Sequence, residues 1–402
     1  MRVVALGAVC LLASVGSAAG SAPPLRPTLS FVVDAGVSSH GFEPLGGGIC
    51  LGNRRVTEPR PDGGIAWSPD GSRVAFYRQL RLGAHVLVAD ADGRNLRNLT
   101  PGGRATDFNW APDWSPDGSR IVYLASDQEV TRLVTVRPDG SDKRVVPGPT
   151  GNATNLLRSP KWSPDGTWIG YTLNDGIHVV RADGSGDRLL LANAEGPDWS
   201  PDGRRIVFTR DRDLALANSD GTGVAFVTRT PRLHEGGAQW SPDGSQMVYV
   251  AIDETDPKVE KGPGDHMYVA DANGRNRREL RGLRGVVVWS PAWRPAAPPS
   301  RGARPCALLG TPRDDVLTGT AHAELIYGRG GNDVIRGRGG DDIIVGDVPF
   351  ARARGRDRLF GGPGRDFIDS YDGRGDLVDG GAGRDRGVSD RHDRLRSVES
   401  YG

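Results

Sequence analysis

Short apolar runs separated by glycine-containing turns dominate the first part of the chain. Arg73-Val74-Ala75-Phe76-Tyr77 and Arg205-Ile206-Val207-Phe208 each follow an Asp-Gly and read as strands. A second run follows, such as His85-Val86-Leu87-Val88 or His178-Val179-Val180. It ends in Asp92-Gly93, Asp139-Gly140, Asp183-Gly184, Asp220-Gly221 or Asn273-Gly274. Asp-Gly and Asn-Gly between apolar runs signal tight hairpins, because both central positions of a type I′ turn need positive φ. The pattern predicts repeated meanders of antiparallel strands.

These meanders are in register with a longer repeat. Trp-Ser-Pro-Asp-Gly begins at Trp67, Trp114, Trp162, Trp199 and Trp240, and a degenerate Trp293-Arg294-Pro295 closes the series. The intervals are roughly 40 to 50 residues, the length of one four-stranded propeller blade. Before the first Trp stand Leu29-Ser30-Phe31-Val32-Val33 and Gly48-Ile49-Cys50-Leu51, strands without a Trp strand of their own. At the other end, Val286-Val287-Val288 and Trp293 have no strands after them. Combining the two ends makes a sixth blade and removes exposed sheet edges. Each Trp is expected to pack between neighbouring blades, and each Asp of the motif to accept backbone hydrogen bonds in its own turn.

Beyond a Pro-rich stretch, Pro295 to Pro305, the period changes to nine. Units begin at Gly310, Gly319, Gly328, Gly337, Gly361 and Gly380. Those at Gly328, Gly337 and Gly361 carry Gly, Gly and Asp in a G-x-x-G-x-D pattern, with Ile335, Ile344 or Ile368 two places after the Asp. This register describes a roll in which a glycine-rich turn alternates with a short strand, and turns stack two repeats apart. Carbonyl oxygens and carboxylates then converge, a donor set suited to calcium's six to eight oxygens and less to magnesium's tight octahedron. The expected metal residues are Gly328, Gly330, Asp333, Gly337, Gly339, Asp342, Asp357, Gly361, Asp366, Asp376 and Asp385, with Asp333, Asp342, Asp357 and Asp366 foremost. Arg313 and His322 replace the fourth-position glycine in the first two units, and Glu324 replaces the second unit's Asp, so those turns read as calcium-free caps. Gly346 to Ala351 interrupts the register and puts the site at Asp357 in question. Gly387 stands where an apolar residue belongs, and the tail with Leu395 and Val398 is expected to cover the open end.

Composition narrows the partners. With 51 basic and 50 acidic residues there is no field to steer a polyanion, so nucleic acid is a poor ligand class. The N-terminus has a basic start, an apolar run from Val3 to Val15 and small residues from Gly16 to Ala22, the layout of a secretory signal peptide. That run is too short to span a bilayer. After cleavage Cys50 and Cys306 remain, and export permits a disulfide between them. The domains expected are a signal peptide (1–22), a propeller (28–295), a linker (296–306) and a calcium-binding roll with a C-terminal cap (307–402), an all-β chain.

The Trp-Ser-Pro-Asp-Gly copies resemble the TolB propeller repeats, and the nonapeptides resemble the repeats-in-toxin family. The first resemblance implies a scaffold that holds a protein, peptide or glycan at the propeller channel; the second implies calcium as cofactor. No G-x-S-x-G elbow accompanies the propeller, so the peptidase relatives' catalytic domain is missing. The residues just before the Trp strands, Asp107, Asn109, Asn155, Glu195, His234 and Glu235, are candidate channel ligands. The first reading is an exported, non-enzymatic, calcium-binding scaffold, secreted or at the cell surface. The alternative is a lactonase- or phytase-like propeller hydrolase acting around His234 and Glu235. A third, a surface-layer component, would self-assemble.

Overall fold

In a computed structural model, the described residues are 28–37, 44–51, 54–57, 62–80, 83–102, 107–127, 129–152, 156–253, 266–280, 287–295, 307–347 and 355–400. The signal-peptide residues, the linker, Cys306 and the side chain of Cys50 fall outside them, and with them the expected disulfide. Regular elements among the described residues are all strands, and no helix there is long and apolar enough to cross a membrane. Two compact units form, one built on Arg60–Gly302 with Pro27–Asp34, the other on Ala303–Gly402 with Ala35–Pro59.

The first unit is the propeller. Its first blade runs outward through Asp62–Trp67, Arg73–Gln79, Ala84–Asp90 and Arg97–Asn98. Four further blades begin with Phe108–Trp114, Arg158–Trp162, Glu195–Trp199 and Leu233–Trp240. Thr28–Val37 pairs antiparallel with Val287–Arg294, so the two ends of the series meet in one sheet, as closure of a sixth blade requires. Arg294 reinforces this join: its Nε donates to the Gly71 carbonyl at 2.8 Å and its guanidinium lies 5.1 Å from the centre of the Trp67 ring.

The repeated motif folds in the same way each time. In the first copy, Ser68 Oγ donates to Asp70 Oδ1 at 2.6 Å and accepts from Arg73 N at 2.9 Å, while Ser72 N donates to Asp70 Oδ1. The Asp is thus spent within its turn, and these bonds hold its carboxyl down at about 2. The tryptophans are buried between blades. Trp199, for instance, shares a cluster with Ile177 and Val179 of the preceding blade and Ile206 and Phe208 of its own. Gly170 is needed beside it, since any side chain there would collide with the Trp199 ring.

The C-terminal part winds into two parallel sheets. One joins Leu308–Leu309, Leu325–Arg329, Ile343–Asp347, Phe367–Asp369, Arg386–Val388 and Glu399–Ser400; the other joins Val316–Thr318, Val334–Arg336, Arg358–Gly364, Leu377–Gly383 and Arg394–Arg396. Eighth-position residues Ile326, Ile335, Ile344, Leu359, Ile368 and Val378 fill the space between them.

Core register holds across the interruption after Gly346: Leu359 pairs with Ile335 and enters the core in phase. The tail continues the parallel sheets, with Leu395 beside Val378 and 41% exposed. Val398 packs against the core, and a side chain on Gly387 would collide with the Ile368 carbonyl oxygen, 2.3 Å away, and crowd the Val398 methyl at 3.3 Å.

Candidate metal centre

The sixth-position carboxylates form two columns. In one, Asp315 N donates to Asp333 Oδ1, Asp333 N to Asp357 Oδ1, Asp357 N to Asp376 Oδ1 and Asp376 N to Asp393 Oδ1, at 2.8 to 2.9 Å. In the other, Glu324 N donates to Asp342 Oδ1, Asp342 N to Asp366 Oδ1 and Asp366 N to Asp385 Oδ1, at 2.8 to 2.9 Å. Each ladder bond uses one carboxylate oxygen and fixes where the other points.

That second oxygen decides whether a cation fits. Oδ2 of Asp333, Asp357, Asp366 and Asp385 is buried and has no hydrogen-bond partner. A buried, unpaired carboxylate oxygen is costly, and a hard cation is the partner that would offset the cost. The first-position glycines make room: a Cβ on Gly328, Gly337 or Gly361 would collide with the carboxylate of Asp333, Asp342 or Asp366 respectively. Third-position Gly330 is buried, and Gly339 N donates to the Thr320 carbonyl at 3.1 Å. The turn is bent at other positions, by left-handed Gly331 and Gly340 (φ 107° and 101°) and by Arg329 and Arg338 (φ 80° and 81°).

The end turns differ. Asp315 Oδ2 accepts from Thr311 Oγ1 at 2.9 Å, and Glu324 accepts from both Thr320 N and Thr320 Oγ1. A second-position threonine thus takes up the oxygen that the middle turns leave unpaired, in keeping with calcium-free ends. Residues present therefore fit calcium in the middle of the roll and not in its first two turns.

Electrostatics agree. Burial pushes the Asp333 carboxyl up to about 8, with Asp357, Asp315 and Asp347 adding to it. Burial likewise raises Asp376 to about 8, Asp366 to about 7 and Asp357 to about 6. Such a set repels itself without a cation.

Sequence reasoning missed two members. Asp393 continues the first column; its signal is Asp393-Arg394-Leu395, the same Asp-x-apolar phase as Asp357-Arg358-Leu359. Asp347 stands second in the interrupted unit, and its carboxylate oxygen comes within 4.8 Å of those of Asp333 and Asp357.

In the propeller, the innermost strands carry a β-bulge just before each Trp, with left-handed Gly64, Ala111, Ser159, Gly196 and Gly237. These bulges and the residues after them, with His234, Val250 and Ile252, line a cavity of about 360 Å³. Of the expected channel residues, His234 lines it. Asn109 is buried and donates to the Ala84 carbonyl at 3.2 Å, bracing two blades. Glu195 is half-exposed, 4.0 Å from Arg158. Glu235, adjacent to His234, is fully buried and accepts from Arg277 at 2.9 Å, so the two side chains do not converge. Asn155 lies outside the described residues.

The charged group that reaches the cavity was missed. Lys161 sits 3.1 Å from Asp113, whose other oxygen accepts from Trp162 N. Asp113 and Asp198 hold the Lys161 ammonium above its ordinary range against the burial that opposes it. Burial raises Asp198 to about 6 despite Lys161 and despite the bond from Trp240 N. All three stand immediately before a motif Trp, one position after the bulge pair.

Comparison with known proteins agrees with this architecture. Residues 66–297, more than half of the chain, match the TolB beta propeller domain family. Residues 318–348 and 353–386 match the RTX calcium-binding nonapeptide repeat. No curated protein is detectably similar in sequence. Among solved structures, TolB from Acinetobacter baumannii is 18% identical with a TM-score of 0.50, covering 67% of each chain. A putative TolB from Agrobacterium tumefaciens is 19% identical with a TM-score of 0.46, covering 63% of this chain and 88% of its own. The chain belongs to the TolB β-propeller family and carries RTX calcium-binding repeats after the propeller.

Proposed function

We propose that this is an exported protein whose roll binds calcium ions along the two aspartate columns, while its propeller serves as a non-enzymatic binding scaffold. One observation carries the calcium reading: the buried, unpartnered Oδ2 atoms of Asp333, Asp357, Asp366 and Asp385, each on a carboxylate already oriented by a ladder bond. Asp342, Asp376 and the glycines beside them complete the ligand set.

The cavity supports the scaffold reading. Its walls are largely Pro, Gly, Ala and Ile, with Ser159, Lys161, His234 and Gln239 as the polar points, a lining suited to a peptide or a sugar. Glu235, tied to Arg277 inside its blade, favours this over a hydrolase acting through His234 and Glu235. Export accords with the compartments in which repeats of both kinds are expected, and where calcium is abundant enough to fill sites of modest affinity.

The test uses the whole chain freed of calcium by a chelator. Adding calcium should return far-UV β signal and raise the melting temperature in a saturable way, whereas equal magnesium should do much less. An unchanged spectrum and melting curve at about millimolar calcium would refute the reading.

A further inference from the structure

The interrupted unit places a third carboxylate where the repeat supplies two. Position two is Thr311 and Thr320 in the end turns and Arg329 and Arg338 in the next two units; here it is Asp347. Its Oδ2 accepts from Gly355 N at 2.6 Å, the residue at which the turn resumes. Its Oδ1 is buried and receives no bond from a backbone or basic group; the Asp372 carboxyl is a neighbour of this side chain, and the residue is 4% exposed. The free Oδ2 atoms of Asp333 and Asp357 are equally shut in, on residues 1% and 2% exposed. One carboxylate oxygen from each of the three lies within 4.8 Å of the others, close enough to share one ion.

We propose that Asp347 joins the repeat carboxylates Asp333 and Asp357 in a three-carboxylate calcium site, the tightest in the roll. This rests on the calcium reading given above. Asp347 thus adds a ligand to the column at the point where the nine-residue register is interrupted. Affinity follows from ligand charge and rigidity: a third carboxylate adds charge, and the ladder bonds together with the Gly355 bond hold all three in place. The charged neighbours of Asp347 are further carboxyls, Asp357 and Asp372.

The experiment is a calorimetric calcium titration of the full chain and its Asp347→Asn variant, with Asp366→Asn as a reference in the other column. Asn keeps the oxygen that accepts from Gly355 N and removes the charge. Asp347→Asn should lose the tightest binding step and one ion per chain, with the remaining steps within about twofold. Asp366→Asn should lose a weaker step. If Asp347→Asn titrates like the wild type while Asp366→Asn loses an ion, the three-carboxylate site is wrong and the repeat reading stands. If the wild type takes up no calcium, both fall. Should the variant not fold, anomalous diffraction from wild-type crystals grown with calcium decides: an ion shared by the three carboxylates at about 2.3–2.6 Å supports the site, and density confined to the other column overturns it.

Discussion

The glycine beside the Asp366 carboxylate matters because of what it leaves out. At Gly361 a Cβ would run into Asp366 Oδ2 and lie 2.6 Å from the Gly380 carbonyl oxygen. The carboxylate would have to turn from the position its ladder bond sets. Gly361→Ala should therefore lower the melting temperature of the calcium-loaded protein, with a cost of about 1–3 kcal/mol for forced overpacking. It should also weaken calcium uptake in titration; an alanine variant that matches wild type in both would show that the cradle is not used. In the propeller, Lys161 illustrates the opposite problem. Its type is unremarkable in sequence, but its position one residue before Trp162 places it between Asp113 and Asp198. Reading upstream of each Trp found His234 and missed Lys161, because the bulge resets which residues face the cavity. Strict alternation carries no sign of a bulge unless its left-handed residue is glycine, and at Ala111 and Ser159 it is not.

At the scale of strands and turns, the nine-residue register was legible because its apolar eighth position and acidic sixth position repeat together. The interrupted unit was not: Leu359 is in phase with Ile335, yet a linear count from Gly346 misses it. The final coil was hidden for a related reason, since Asp393 follows Arg391-His392 and not glycines. The two columns make a definite statement about pH. Carboxyls raised to about 6–8 in the metal-free fold titrate near 4 in an unfolded chain. Between those limits the folded form holds more protons, so its metal-free stability is greatest below about pH 4 and falls as pH rises through 6 to 8. Calcium needs the deprotonated form, so its binding should tighten over the same window and release protons. Titration at pH 6 in two buffers of different ionisation enthalpy checks this; binding heats independent of buffer would contradict it.

For the molecule as a whole, closure and calcium are separate sources of order. Pairing of Thr28–Val37 with Val287–Arg294, reinforced by Arg294 on Gly71 and Trp67, ties the ends of the propeller without a metal. That closure could be inferred from a missing Trp strand at one end and missing partners at the other. Between its sheets the roll has a narrow core, one apolar side chain per nine-residue unit, and Val316, Leu377 and Leu395 remain exposed. It is the part whose order should depend on an ion. The ligand of the propeller cavity was not legible, because its lining comes from separate strands that meet only through blade geometry.

The most direct test of the account is a calorimetric titration of calcium into the chelator-treated whole protein at pH 7.5. The protein should take up more than one ion per chain saturably, with magnesium a poor competitor. Absence of any heat of binding up to about millimolar calcium would contradict it and leave the aspartate columns as a structural ladder alone.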